Sequence, residues 1–258
     1  MFKDALTVQV ARQEFLAKGQ VGQGLVAKEI ERSWQRCLAN GIDAESAQSY
    51  MLSKHEFGQR IEMNHLLLSH ARPEMDTLNE QIAHTRSIVI LTDAEGVILH
   101  SLGDSSFMTE AQRVALGPGS SWNERHRGTN AIGTALIEQS PMTVHGAEHY
   151  VAKHHVLSCS AVPIYGVQND LIGTLDVSND YLLPQQHTLA LVKMAAQMIA
   201  LLNICEAGDE IVAARTLPAA REQGYVDALL REHLDGAADR SEALWQVLCL
   251  ELWAQRFV

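Results

Sequence analysis

Four histidines, His145, His149, His154 and His155, fall within eleven residues, and Cys159 stands four positions after the last. Imidazoles at this density can ligate a metal, carry protons, or act as neutral donor–acceptor groups around a bound molecule. The four-residue spacing of His145 and His149 would suit a metal on a helix, where such residues share a face. Gly146 opposes a stable helix there, and neither a cysteine pair nor a second acidic cluster completes a coordination shell. The segment therefore reads as a metal-free, cofactor-free polar loop over a pocket. Cys159 would need a base to become nucleophilic, and His154 or His155 could reach it. Strand alternation in Leu157-Ser158-Cys159-Ser160-Ala161 puts Cys159 with Ala161 on one face and the two serines on the other. A core thiol is the favoured reading, with a redox catalyst as the alternative.

Asp176 lies in an otherwise apolar run, Leu171 to Val177. A carboxylate there must be paired or wet, because an isolated buried charge is costly. Arg125 and Arg127 are the candidate partners. Trp122, Asn123, Thr129 and Asn130 surround Gly128. Asn and Thr suit a helix N-cap, and the free N–H groups of the same helix start could hold an anionic or carbonyl-bearing ligand. The candidate ligand-binding set is thus Trp122, Asn123, Thr129, Asn130, His145, His149, His155, Ser160 and Asp176, with no catalytic residue and no metal.

These residues need a scaffold. Val26, Ile30, Trp34 and Leu38 recur at four-residue steps, which predicts a helix over 25–38 with Gly41 beyond it. A long helical region follows, with a break expected at Pro73. Residues 88–91 and 97–99 are short apolar runs across the turn signal 93–96, a β-hairpin. A helical patch is expected over 110–116 and a short helix over 129–138. A brief strand at 141–145 and a second hairpin, 157–165 with 171–177, come next. A helix over 184–205 closes the plan, Pro184 standing where helices start. The fold class expected is α+β: an antiparallel sheet flanked by helices, with an N-terminal helical segment and a C-terminal helical tail. The expected domains are 1–72, 73–206 and 207–258.

The chain has 258 residues, 47% hydrophobic and 20% charged, enough for a packed core and too apolar for disorder. Its formal net charge of −11 argues against bulk electrostatic binding to nucleic acid. No basic, then apolar, N-terminal pattern suggests a signal peptide, and no run approaches the ~18 apolar residues of a membrane span. Cys37, Cys159, Cys205 and Cys249 lie far apart in apolar segments and read as reduced thiols of a cytoplasmic protein.

Four stretches carry a resemblance. Ser33-Trp34-Gln35-Arg36-Cys37 with Gly41, the run SIVILTDAEGVIL from Ser87, Thr129-Asn130-Ala131-Ile132-Gly133-Thr134, and Leu175-Asp176-Val177-Ser178 resemble a GAF-type sensory region. They are similar to the N-terminal half of sigma-N-dependent bacterial activators of the acetoin and glycerol (dihydroxyacetone) type. The resemblance covers roughly 25–206. It implies a non-catalytic signal-sensing domain that binds a small metabolite or a partner protein and shifts a conformational population. In such relatives an ATPase with a phosphate-binding loop and a helix-turn-helix follow. Nothing here matches GxxxxGK[ST], so the chain is expected to act through a partner. Some GAF proteins are Cys-dependent sulfoxide reductases, but the several loop cysteines they use are absent here. The tail 207–258 carries apolar sets at 225–234 and 244–257, acidic overall, and few groups suited to read base edges. No sequence-specific DNA binding is expected. The apolar last helix makes a protein-interaction module a further alternative, and the apolar faces of helices 25–38 and 184–205 point to a homodimer.

Overall fold

Ser87–Asp93 (β1) is buried at every position, because helices cover both faces of the sheet at its centre. In the computed structural model, residues 5–46, 50–104, 107, 112–182 and 187–216 are described, with side chains of the last helix to Asn203. Among them, β1, β2 (Ile98–Gly103), β3 (Met142–His145), β4 (Leu157–Tyr165) and β5 (Leu171–Asp180) form one sheet in the order β2-β1-β5-β4-β3. Every neighbouring pair is antiparallel. The first and last strands in space are thus the sheet edges, and β5 runs between β1 and β4. The α+β plan expected from sequence is the one observed.

Period-two alternation sorts the side chains. Ile88, Ile90, Val144, Cys159 and Ala161 join the core beneath α1 (Ala5–Lys18), α2 (Lys28–Ala39) and a short helix, Ala131–Glu138. Val89, Leu91, Val162, Ile164, Leu175 and Val177 join a second core with α4 (His65–Gln81) and the last helix, Thr188–Thr216. Helix α3 (Lys54–Met63) begins with a capping box, the Ser53 side chain accepting from the Glu56 N–H while Glu56 accepts from the Ser53 N–H. The remaining helices are α5 (Glu124–Arg127), α6 (Ala131–Glu138) and α7 (Thr188–Thr216), with single 3-10 turns at Gly146–Glu148 and Ala152–His154.

The break expected at Pro73 is not there. Pro73 lies inside α4, and the interruption falls at Asn64, between α3 and α4. Proline removes one intrahelical hydrogen bond, but Leu67, Leu68 and Ala71 before it and Met75 and Leu78 after it all bury on the same sheet face. That shared burial outweighs the local loss and keeps one axis. The chain forms two compact units, Met1–Ala200 and Leu201–Val258. The apolar sets expected at 225–234 and 244–257, the start of the last helix at Pro184, residues 110 and 111 of the patch 110–116, the side chain of Cys205, and Cys249 lie outside the described residues.

Candidate functional site

Asp176 is fully buried in the middle of β5, opposite Ala161 on β4 and Ile90 on β1. Its Oδ2 lies 2.6 Å from Ser178 Oγ, which is 3.0 Å from Cys159 Sγ. Cys159 Sγ is in turn 3.6 Å from His149 Nε2. His149 Nδ1 lies 3.0 Å from the Gly146 carbonyl, so that nitrogen carries the proton and Nε2 is left to accept from the Cys159 thiol. A T-shaped contact at 6.2 Å joins the His149 and His154 rings, and His154 packs on Trp122 at 4.8 Å. A continuous file of polar and aromatic groups therefore runs across one face of the sheet.

Burial disfavours charge along this file. Burial pushes the His149 imidazole down to about 3 and that of His154 to about 2. Burial raises Asp176 to about 7, against a smaller lowering by the Ser178 hydrogen bond. The Cys159 thiol is pushed well above its ordinary value by burial and by Asp176. That shift disfavours the thiolate, the form a cysteine nucleophile needs. Asp176 Oδ1, Thr174 Oγ1 and both ring nitrogens of His154 are buried with no hydrogen-bond partner among the described residues. Buried polar atoms in folded proteins are nearly always satisfied, so this face is chemically incomplete. Among the described residues, no group of three or more His, Cys, Asp and Glu side chains is placed to hold a metal ion.

The arginines expected beside Asp176 are elsewhere. Arg127 donates to Ser121 O at 3.2 Å and Ser120 Oγ at 3.0 Å, with its guanidinium 5.1 Å over the Trp122 ring. Arg125 lines an outer groove. Ser178, two residues along the same strand, takes their place.

The sequence-derived candidates divide by position. Trp122, His149 and Asp176 belong to the buried file. Asn130 caps α6, its Oδ1 accepting from Gly133 N at 2.8 Å and its Nδ2 donating to Trp122 O and Gly128 O. Asn123 caps α5 and lines a groove of about 670 Å³ with Tyr50, Arg60 and His126. Thr129 is buried against Ser33. His145 and His155 line a second groove of about 370 Å³ along α1, and His155 Nε2 lies 3.1 Å from His149 O. Ser160 pairs with Thr143 at 3.2 Å on the opposite face, among residues facing α4 and α7.

A buried polar knot holds the face in place. Glu124 accepts from Ser33 at 2.5 Å, Thr134 at 2.9 Å and Arg36 at 2.7 Å. Arg36 also reaches Glu138 at 2.8 Å. Trp34 Nε1 donates to Glu148 O at 2.8 Å. The α2 segment thereby fixes both α6 and the turn preceding His149. Nothing in the local sequence signals the Ser33–Glu124 contact, which bridges ninety-one positions.

A family model described as "MimR, N-terminal domain" matches residues 4–199. The chain belongs to that family. It is 31% identical over 167 residues to the acetoin dehydrogenase operon transcriptional activator AcoR of Bacillus subtilis, covering 64% of this chain and 28% of AcoR. It is 32% identical over 151 residues to the acetoin catabolism regulatory protein of Cupriavidus necator, covering 58% and 23%. It is 29% identical over 180 residues to the propane 2-monooxygenase operon transcriptional activator MimR of Mycolicibacterium smegmatis, covering 66% and 28%. The chain thus spans about a quarter of the length of these relatives. The DhaR(N)–DhaL complex of Escherichia coli shares the fold at a TM-score of 0.69 and 18% identity, over 79% of this chain and 67% of that one. The resemblance to acetoin-type activators read from the four sequence stretches is borne out, as is the fold. The family's relatives are transcriptional activators, and among the described residues no helix is long and apolar enough to cross a membrane.

Proposed function

We propose that this chain is a non-catalytic, cytoplasmic sensory domain of a transcriptional regulator, and that its signal is a small uncharged molecule held at Asp176, His149, His154 and Trp122. The observation that carries the reading is the buried polar face with its unmatched atoms, Asp176 Oδ1 and both His154 nitrogens. A hydroxyl or carbonyl compound of a few carbons suits it. A hydroxyl donates to Asp176 and accepts from imidazole, and its carbon frame packs on Trp122 and Ala161. An organic anion would bring a second negative charge beside a carboxyl that burial already disfavours ionising. The high Cys159 value supports a sensor in preference to a redox enzyme.

Ligand binding would bias the arrangement of the His145–His155 loop, and Trp34 and Glu124 would pass that bias to α2. Met194 and Met198 are exposed one helical turn apart on α7, which supports a homodimer. The output passes to whatever the flanking helices contact, and the described domain itself does not read DNA sequence.

The test is purification from the native host followed by mass spectrometry of retained small molecules. Wild-type protein is expected to keep one neutral oxygen-bearing compound that His154→Phe and Asp176→Asn proteins lose. Retention by all three proteins, or by none, would count against the reading. A partner protein is the second reading, favoured by the solved complex of the structural relative DhaR(N) with DhaL. Stoichiometric co-elution of one protein without a small molecule would favour it.

A further inference from the structure

The buried file has no path to solvent through its own residues: His149, His154 and Asp176 are each wholly inaccessible. Any ligand must enter through something that moves. We infer that helix α1 is the gate of this site, latched by Arg12 and hinged on the glycines that follow it. The inference rests on the ligand-site reading above for its purpose, but its geometry stands apart from it.

Three observations converge on α1. The first is the latch. Arg12 is a buried cation whose guanidinium donates to Tyr150 O at 3.1 and 2.7 Å and to Ala44 O at 3.1 Å. Tyr150 immediately follows His149. The nearest carboxylate is the exposed Glu45, 4.0 Å away. A buried guanidinium held mainly by carbonyls is held less tightly than one in a forked carboxylate pair. Desolvation lowers the Arg12 value in the same sense.

The second is the hinge. Gly19 and Gly24 have positive φ angles of 71° and 74°, and Gly22 lies between them. Glycine adopts such angles freely, so this segment can turn α1 about its C-terminal end at low cost. The third is the vestibule. The groove of about 370 Å³ runs between Ala5, Leu6, Val8 and Gln9 of α1 and the loop from His145 to Glu148, closed by His155 and Tyr181. Its lining reaches Glu148, next to His149 in the chain, and His155 of the lining lies 3.1 Å from His149 O. Lifting α1 withdraws Val8, Ala11 and Phe15 from the core they share with Trp122, Tyr150 and Cys159 and opens the groove towards that core.

Cys159 lies inside the site and is buried, so it reports the opening without any ligand. The experiment is labelling of the folded 258-residue chain with N-ethylmaleimide, with mass spectrometry resolving each cysteine. It is compared with the global unfolding rate from denaturant jumps. In the wild type, Cys159 is expected to react faster than global unfolding permits. Arg12→Ala is expected to raise that rate by about ten-fold, and Arg12→Lys by less, because Lys keeps the charge but loses the fork. Amide hydrogen exchange should show α1 opening ahead of the sheet. Labelling of Cys159 at the global unfolding rate in every protein would overturn the inference. So would an Arg12→Ala increase fully accounted for by lowered global stability. A failed gate leaves ligand binding untouched, and a failed ligand search leaves the labelling result standing.

Discussion

The Ser178 hydroxyl lies 2.6 Å from the Asp176 carboxylate, and this neighbour on the same strand is what makes a fully buried acid tolerable. Ser178 has one proton and also lies 3.0 Å from Cys159 Sγ, so it cannot donate to both at once. When Asp176 is ionised, Ser178 donates to it. When Asp176 is protonated, its own O–H can donate to Ser178, which then turns to the sulfur. The state of Asp176 therefore sets the direction of hydrogen bonding along the file.

Asp176→Asn should change stability with a defined pH signature. Burial raises Asp176 to about 7. Between its unfolded value and that point, the folded state holds a proton that the unfolded chain has released, so stability falls as pH rises. Asn removes this cost. The variant's denaturation midpoint relative to wild type should therefore rise between pH 5 and pH 8. A difference that stays flat or falls over that interval would mean Asp176 is not buried as a neutral acid.

The histidines impose the opposite slope. His149 and His154 are held down to about 3 and about 2 by burial. From their ordinary value near 6.5 down towards 3, the unfolded chain binds protons that the folded chain does not, so stability falls as pH falls. Two such groups outweigh the single carboxyl, and the wild type should lose stability steadily from pH 6.5 to pH 4. Replacing both with Phe should flatten the acid limb of a urea-midpoint series. An unchanged acid limb would contradict their burial.

Arg36→Ala should destabilise by roughly 2–4 kcal/mol, because it leaves buried Glu124 without its cation. Arg36→Lys should recover part of the loss. Urea denaturation at neutral pH measures both. A cost under about 0.5 kcal/mol would place Arg36 among ordinary surface ion pairs.

Two glycines offer a matched contrast. A Cβ at Gly133 would meet Glu124 N at 2.5 Å and Trp122 O at 2.7 Å, both backbone atoms, so Gly133→Ala should cost about 2 kcal/mol or more. At Gly58, inside α3, a Cβ meets nothing within 4 Å, and Gly58→Ala should stabilise by about 0.5–1 kcal/mol. Thermal melts of the two variants should move in opposite directions.

If the proposed homodimer forms through α7, Met194→Glu with Met198→Glu should leave the fold intact and give a monomer, since both side chains are exposed on that helix. Light scattering at micromolar concentration reads the result. A wild-type monomer would remove the dimer from the account.

Local pattern carried most of the sheet. The Ser87 hairpin and the Gly166–Asp170 turn were legible because apolar runs and turn residues leave a short-range signature. So was the Asn130 cap. Helix α1 was not legible. It buries Val8, Ala11 and Phe15, yet exposes Leu6 and Val10 and buries Arg12, so no single apolar face stands out. Pro73 misled because burial on one sheet face overrode its local preference. At the site, alternation along β4 correctly separated Cys159 from Ser160. Alternation along β5 puts Asp176 and Ser178 on one face, so the serine, and neither Arg125 nor Arg127, is the neighbour that the spacing offers. The approach of His149 to Cys159 was not legible, because it depends on how a loop folds back over the sheet.

The most direct test of the ligand site is calorimetric titration of the purified chain with propane-1,2-diol, butane-2,3-diol and propanoate, repeated on Asp176→Asn and His154→Phe. Saturable binding of at least one neutral compound, no binding of the anion, and a loss of affinity of at least about ten-fold in both variants are the predicted results. Binding that is indifferent to Asp176 and His154, or preference for the anion, would contradict the account.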